Sequence, residues 1–162
     1  MQHLNQLLER LVRAEVECVL IGGFAAIAHG SSLQTRDVDV CIRLGEENLT
    51  RIQAAFSDLH PAHRARPDIP LELTPELCAR LTNLYLKTDL GIVDCLGEVK
   101  GVGDYEEALR HSIALEFPFG TCRLLDLDTL IIAKEAVGRP HDLLTVQQLK
   151  AVKAQTAGKP TG

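Results

Sequence analysis

The chain has 162 residues, a length that holds one hydrophobic core with a small appendage and excludes two full domains. With 46% hydrophobic and 24% charged residues, it has the make-up of a globular chain and not of a disordered one. A net charge of -5, seventeen scattered Lys and Arg and the lack of Trp argue against a broad phosphate-backbone footprint and against aromatic platforms for stacked bases.

Leu4, Leu7, Leu8, Leu11 and Val12 recur at helical spacing, and Val16 to Ile21 follows as a short β-favouring run, so the chain opens as helix then strand. Gly22-Gly23 ends that strand and opens a compact Ala-rich helix expected to stop near Gly30. After the polar connector Ser31 to Arg36, the run Asp37 to Ile42 predicts a second strand and Glu46 to Leu59 a helix. The stretch from His60 through Pro75, with four prolines, marks an irregular crossover or a mobile flap. Thr74 and Pro75 then fit the cap and first position of a helix. Leu84 to Thr88 and Gly91 to Leu96 predict a hairpin turning at Asp89-Leu90, and Tyr105 to His111 a brief helix. Thr121 to Leu125 predicts a last strand; Asp126 to Val137 and Pro140 to Val152 predict two helices parted by Gly138-Arg139. The expected organisation is a single domain over 1–154 and a flexible tail over 155–162.

The start Met1-Gln2-His3-Leu4 is polar and no apolar stretch approaches the roughly 18 residues that span a membrane, so a cytoplasmic location is expected. Five cysteines, an odd number without a Cys-x-x-Cys pair, suggest neither a disulfide framework nor a zinc site. Dispersed histidines, with His60 and His63 lacking a convincing third ligand, weaken a catalytic zinc reading further. Ser31-Ser32 has no nucleophile elbow, and no Walker phosphate loop is present. Tyr85 and Tyr105 read as core or rim residues.

The candidate chemistry lies in three acids. On a strand, alternate side chains share a face about 6.6 to 6.8 Å apart, so Asp37 and Asp39 project together while Val38 and Val40 point the other way. Two carboxylates on one surface repel unless a cation or protons neutralise them, and hard oxygen ligands suit Mg²⁺. The bland alternative is a solvated strand face, although Asp is depleted in strands. Asp94 is an acid inside the apolar run Gly91 to Leu96, so it either pairs with a nearby cation or completes a metal site. Gly22-Gly23, where a strand hands over to a helix, lets backbone amides approach an anion, or is just a tight turn.

In order, Leu20-Ile21-Gly22-Gly23, a gap of thirteen residues, Asp37-Val38-Asp39-Val40 and later Ile92-Val93-Asp94 resemble the DNA polymerase beta-like nucleotidyltransferase superfamily. Ala26 to Gly30, together with Asp128 to Lys134 and Gly138 to Leu143, looks most like small bacterial members similar to the abortive-infection toxin-type nucleotidyltransferases. The resemblance implies an α/β (α+β) fold, a mixed β-sheet flanked by helices with a C-terminal helical segment. It implies catalytic and metal-binding roles for Asp37, Asp39 and Asp94, holding two Mg²⁺, and nucleotide contacts from Gly22, Gly23, Lys134 and Arg139. In such enzymes a nucleoside monophosphate passes from an NTP to a hydroxyl of an RNA end, a protein or a small molecule, and pyrophosphate leaves. Asp94 matches the acid that helps activate the attacking hydroxyl.

For the two basic residues ordinary readings stand alongside. A helical Lys134 is most often solvated, and Arg139 with Asp142 suits a helix-end ion pair. The alternative for the whole chain is a noncatalytic module of the same fold that binds nucleotide or a partner protein, such as a cognate antitoxin. No membrane partner is expected.

Overall fold

The computed structural model describes residues 2–157. Helix α1 (Gln2–Arg13) leads into β1 (Cys18–Leu20), α2 (Gly23–Ala28), β2 (Asp37–Ile42) and α3 (Glu46–Ala55). A single 3-10 turn at Ser57–Leu59 precedes β3 (Ala62–His63), α4 (Pro75–Arg80), β4 (Asn83–Thr88) and β5 (Gly91–Leu96). The short β6 (Glu98–Val99) and β7 (Gly103–Asp104) pair only with each other, and α5 (Tyr105–Arg110), β8 (Ser112–Phe117), β9 (Gly120–Leu125), α6 (Leu127–Val137) and α7 (Pro140–Ala157) complete the order.

Seven strands form one sheet in the order β3-β4-β5-β2-β1-β9-β8. Strand β2 runs parallel to β5 and antiparallel to β1, while β1 runs parallel to β9, so the sheet is mixed as expected. Leu4, Leu7, Leu8 and Leu11 are all buried, and the stripe they form turns α1 onto the sheet, beside α3. Val38 and Val40 are buried beneath that layer, which leaves the Asp face of β2 for the opposite side of the sheet.

Local chemistry sets the helix ends that matter for the site. The Asp126 side chain accepts from the Thr129 N–H at 2.8 Å and starts α6, and Gly138 stops it in the left-handed region at φ 70°. Thr74 caps α4 with Pro75 at its first position, as its sequence indicates. The Arg43 guanidinium lies 4.8 Å from the centroid of the Tyr105 ring of α5, a cation–π contact.

Several elements depart from the sequence expectation. Strand β8 pairs along its whole length with β9 although no strand is predicted there. Within the proline-rich stretch, β3 joins the sheet edge, and Ala62 bridges Pro70. Helix α7 continues through Ala157, so residues 155–157 of the expected tail are helical, and 158–162 lie outside the described residues. Among the described residues no helix is long and apolar enough to cross a membrane.

Candidate active site

Parallel pairing of β2 with β5 sets Asp39 directly opposite Asp94, and Asp37 opposite Ile92. Registered neighbours point to the same face of a sheet, so Asp39 and Asp94 stand side by side. On the other flank of β5, Tyr85 is registered with Asp94. The Arg64 N–H, just past β3, donates to the Tyr85 carbonyl at 2.9 Å. A row of four side chains therefore crosses the sheet: Arg64, Tyr85, Asp94, Asp39. At the end of that row the Ile21 N–H donates to the Asp39 carbonyl at 3.0 Å, which brings Gly22 against the acid.

Gly22 has no room for a side chain, because a Cβ there would overlap the Asp39 carboxylate. At Gly23 a Cβ would come within 2.8 Å of the Thr35 hydroxyl oxygen. Both glycines are required by close packing at the start of α2, and Gly22 lines the same cleft as the acids. This cleft has a volume of about 430 Å³ and also receives Arg64, Tyr85, Lys134 and Arg139. A larger hollow of about 650 Å³ lies beside Gln6 and Leu90, but its arginines are engaged: Arg10 pairs with Asp58 and Arg13 with Glu9.

Crowding governs the charges. Burial, reinforced by the charges of Asp94 and Asp37, pushes the Asp39 carboxyl up to about 6, against the opposing pull of Lys134 and Arg139. Burial likewise raises Asp94, opposed by Arg64 and reinforced by Asp37. Asp94 is 9% exposed; its Oδ2 accepts from Arg64 Nη1 at 3.0 Å, and its Oδ1 is buried without a hydrogen-bond partner. The Arg64 guanidinium also lies 4.8 Å from the Tyr85 ring centroid, a cation–π contact.

Across the cleft, α6 and α7 meet at a buried carboxylate. Asp142, 1% exposed, accepts from Lys134 Nζ at 3.3 Å and from Arg139 Nε at 2.7 Å. The Arg139 backbone N–H donates to it as well, at 3.3 Å. Burial raises Asp142, yet the hydrogen bonds from Arg139 and the charge of Lys134 hold it below the ordinary carboxylate range. Lys134 is thus no solvated surface lysine, since its side chain is only 13% exposed and it lines the cleft. Arg139 does make the helix-end pair with Asp142, and it lines the cleft too.

Five of the seven residues singled out in the sequence line this cleft, Gly22, Asp39, Asp94, Lys134 and Arg139; Asp37, registered with Ile92, is not among its lining residues and acts on Asp39 and Asp94 through its charge. Gly23 lies behind, packed on Thr35. Sequence reasoning missed Arg64 and took Tyr85 for core or rim. Alternation through the predicted hairpin was the available signal for Tyr85, since it places residues 83, 85 and 87 on the Asp94 face.

For Mg²⁺ the donor set fits in kind: carboxylate oxygens on adjacent strands, crowded enough to raise Asp39, with an orphaned oxygen on Asp94. Among the described residues no three His, Cys, Asp or Glu side chains already gather as a metal cluster, so part of the ligand set would have to come from substrate phosphates and water.

A mixed sheet flanked by helices and closed by a C-terminal helix, as here, is a nucleotidyltransferase fold. The solution structure of the antibiotic-resistance factor ANT(2'')-Ia shares it at a TM-score of 0.54, with 14% identity over 96% of this chain and 90% of that one. The crystal structure of ANT(2'')-Ia in complex with adenylyl-2''-tobramycin matches at 0.52, again with 14% identity, over 93% of this chain and 92% of that one. No protein-family model and no curated protein matches the chain. At such identity the likeness is one of fold.

Proposed function

We propose that the chain is a Mg²⁺-dependent nucleotidyltransferase that moves a nucleoside monophosphate from an NTP to a hydroxyl. The observation that carries this reading is the direct register of Asp39 with Asp94 beside Gly22, with Lys134 and Arg139 lining the same cleft. The fold shared with ANT(2'')-Ia supports it.

In this reading Asp37 and Asp39 hold Mg²⁺, with Asp94 as the third carboxylate. Mg²⁺ held by these carboxylates would neutralise the crowded acids and the triphosphate and would stabilise charge developing at the transferring phosphoryl group. Gly22 allows the triphosphate to approach the start of α2. Lys134 and Arg139, steadied by Asp142, oppose its negative charge. Asp94 takes the proton of the acceptor hydroxyl, whose oxygen bonds the α-phosphorus. The bond from that phosphorus to the bridging oxygen breaks, and pyrophosphate leaves with the electron pair.

The acceptor classes remain an RNA end, a protein or a small molecule. The neighbour holding adenylyl-2''-tobramycin lends support to the last. Use of an NTP suits a cytoplasmic protein. A second reading, a noncatalytic module of this fold with a partner such as an antitoxin, is favoured by one observation: Asp94 is already engaged by Arg64. The two part in an assay of pyrophosphate release from each NTP with a panel of acceptors. Transfer that Asp39→Ala abolishes supports the enzyme. Metal-independent nucleotide binding with no release under any condition supports the module.

A further inference from the structure

We propose that Arg64 selects the acceptor: a phosphate carried beside the reacting hydroxyl draws the Arg64 guanidinium off Asp94 and so frees that carboxylate for the reaction. The inference rests on the nucleotidyl-transfer reading and extends it to the acceptor's chemical class.

As the side chains stand, access of a hydroxyl to Asp94 is restricted on both oxygens. Arg64 occupies Oδ2, and Oδ1 is buried with no partner. An acceptor hydroxyl reaching for Oδ2 meets the Arg64 guanidinium already donating to that oxygen. A partner that takes Arg64 away opens Oδ2 to the acceptor.

Arg64 is built to do so. Its backbone is anchored to Tyr85 by the 2.9 Å hydrogen bond, so the side chain swings from a fixed point. The guanidinium rests over the Tyr85 ring, and its side chain is 43% exposed. Of its side-chain donors, Nη1 reaches Asp94, and the planar fork leaves others to grip a second anion. The pair is open to solvent on the Arg64 side, which weakens the guanidinium's hold on the mostly buried Asp94. A bidentate guanidinium–phosphate contact is among the stronger polar contacts, so a phosphate can win the exchange.

Lys100 and Asn83 line the cleft together with Arg64, while Asp39, Asp94, Glu98 and Asp142 are its acids, so the hold on an anion comes from the guanidinium itself and not from a general positive field. A polycationic acceptor such as an aminoglycoside would meet Arg64 and Lys100 as like charges, which is how a site rejects a partner. The phosphate can belong to a small sugar or polyol phosphate, or to the terminal nucleotide of an oligoribonucleotide.

The test is acceptor binding to the full chain by calorimetry in matched pairs, with Mg²⁺ and a non-transferable NTP analogue present: ribose against ribose 5-phosphate, glycerol against glycerol 3-phosphate, and tobramycin alone. A short oligoribonucleotide, with and without its terminal phosphodiester, separates the two phosphate sources. The phosphorylated member of at least one pair binds about tenfold tighter or more. Arg64→Gln erases that preference, Arg64→Lys keeps part of it, and melting curves confirm that both variants fold. Equal binding within every pair, preference for tobramycin, or a preference that survives in Arg64→Gln overturns the proposal. The NTP analogue is titrated separately. If it binds while no phosphate preference exists, only Arg64's role falls; if phosphate preference persists while no nucleotide binds, the transfer reading falls and anion selection by Arg64 stands.

Discussion

Asp39 and Asp94 are registered partners on parallel neighbouring strands, and the charge of Asp94 is one of the forces that holds the Asp39 carboxyl up at about 6. Two acids are seldom placed this way for stability, because burial and mutual repulsion both penalise ionisation. The arrangement makes sense around positive charge, and the cleft supplies part of it through Lys134 and Arg139.

The crowding has a measurable cost. A carboxyl whose folded value is raised destabilises the protein increasingly as pH rises from the unfolded value, and the cost is complete above the folded value, here about 6. Metal-free protein should therefore gain stability between pH 7.5 and pH 5. Asp39→Asn should stabilise it at pH 7.5 by roughly 1–3 kcal/mol and flatten the profile. Urea unfolding at the two pH values checks this; a variant less stable than wild type at pH 7.5 would contradict it.

Gly22 tests the fit between loop and acid. A methyl group there would overlap the Asp39 carboxylate, so Gly22→Ala must displace that side chain or the start of α2. The expected loss is about 1–3 kcal/mol of stability, in the range of overpacking. Mg²⁺-dependent nucleotide binding should be lost with it. Thermal melts and nucleotide titration read the two effects, and an unshifted melt would show that the close approach does not exist in solution.

Asp142 ties two cations to one buried point. Its folded value is depressed, so its stabilisation is complete above the unfolded carboxylate range near pH 4 and is lost as pH falls through the folded value. Asp142→Asn leaves the mostly buried Lys134 without its counter-charge and should cost about 3 kcal/mol. The variant should also lose part of the wild-type stability change below pH 4. Its affinity for an NTP should fall because Lys134 and Arg139 lose their tether. Denaturant curves at pH 3 and pH 7 check the first two claims; parallel pH profiles for the two proteins would contradict them.

Much of this was legible in the chain. Gly22, Asp39 and Asp94, picked out by the sequence pattern, line one cleft, because β alternation and the apolar setting of Asp94 are local signals. Lys134 was less so, since nothing in a helical sequence tells which lysine faces a cleft until α7 brings Asp142 to it. Strand β8 escaped notice because it is an edge strand with exposed residues such as Ile113, which leaves a weak hydrophobic pattern. The two-residue strands β3, β6 and β7 are shorter than any period. Arg64 was invisible for the same reason, standing just after β3 in a proline-rich stretch and owing its place to a long-range contact with Tyr85.

The most direct measurement is calorimetric titration of the protein with each NTP, with and without Mg²⁺, beside the Asp37→Ala/Asp39→Ala variant. The account predicts binding of at least one NTP that requires Mg²⁺ and disappears in the folded double variant. Nucleotide binding that is indifferent to Mg²⁺ and to both carboxylates would contradict it.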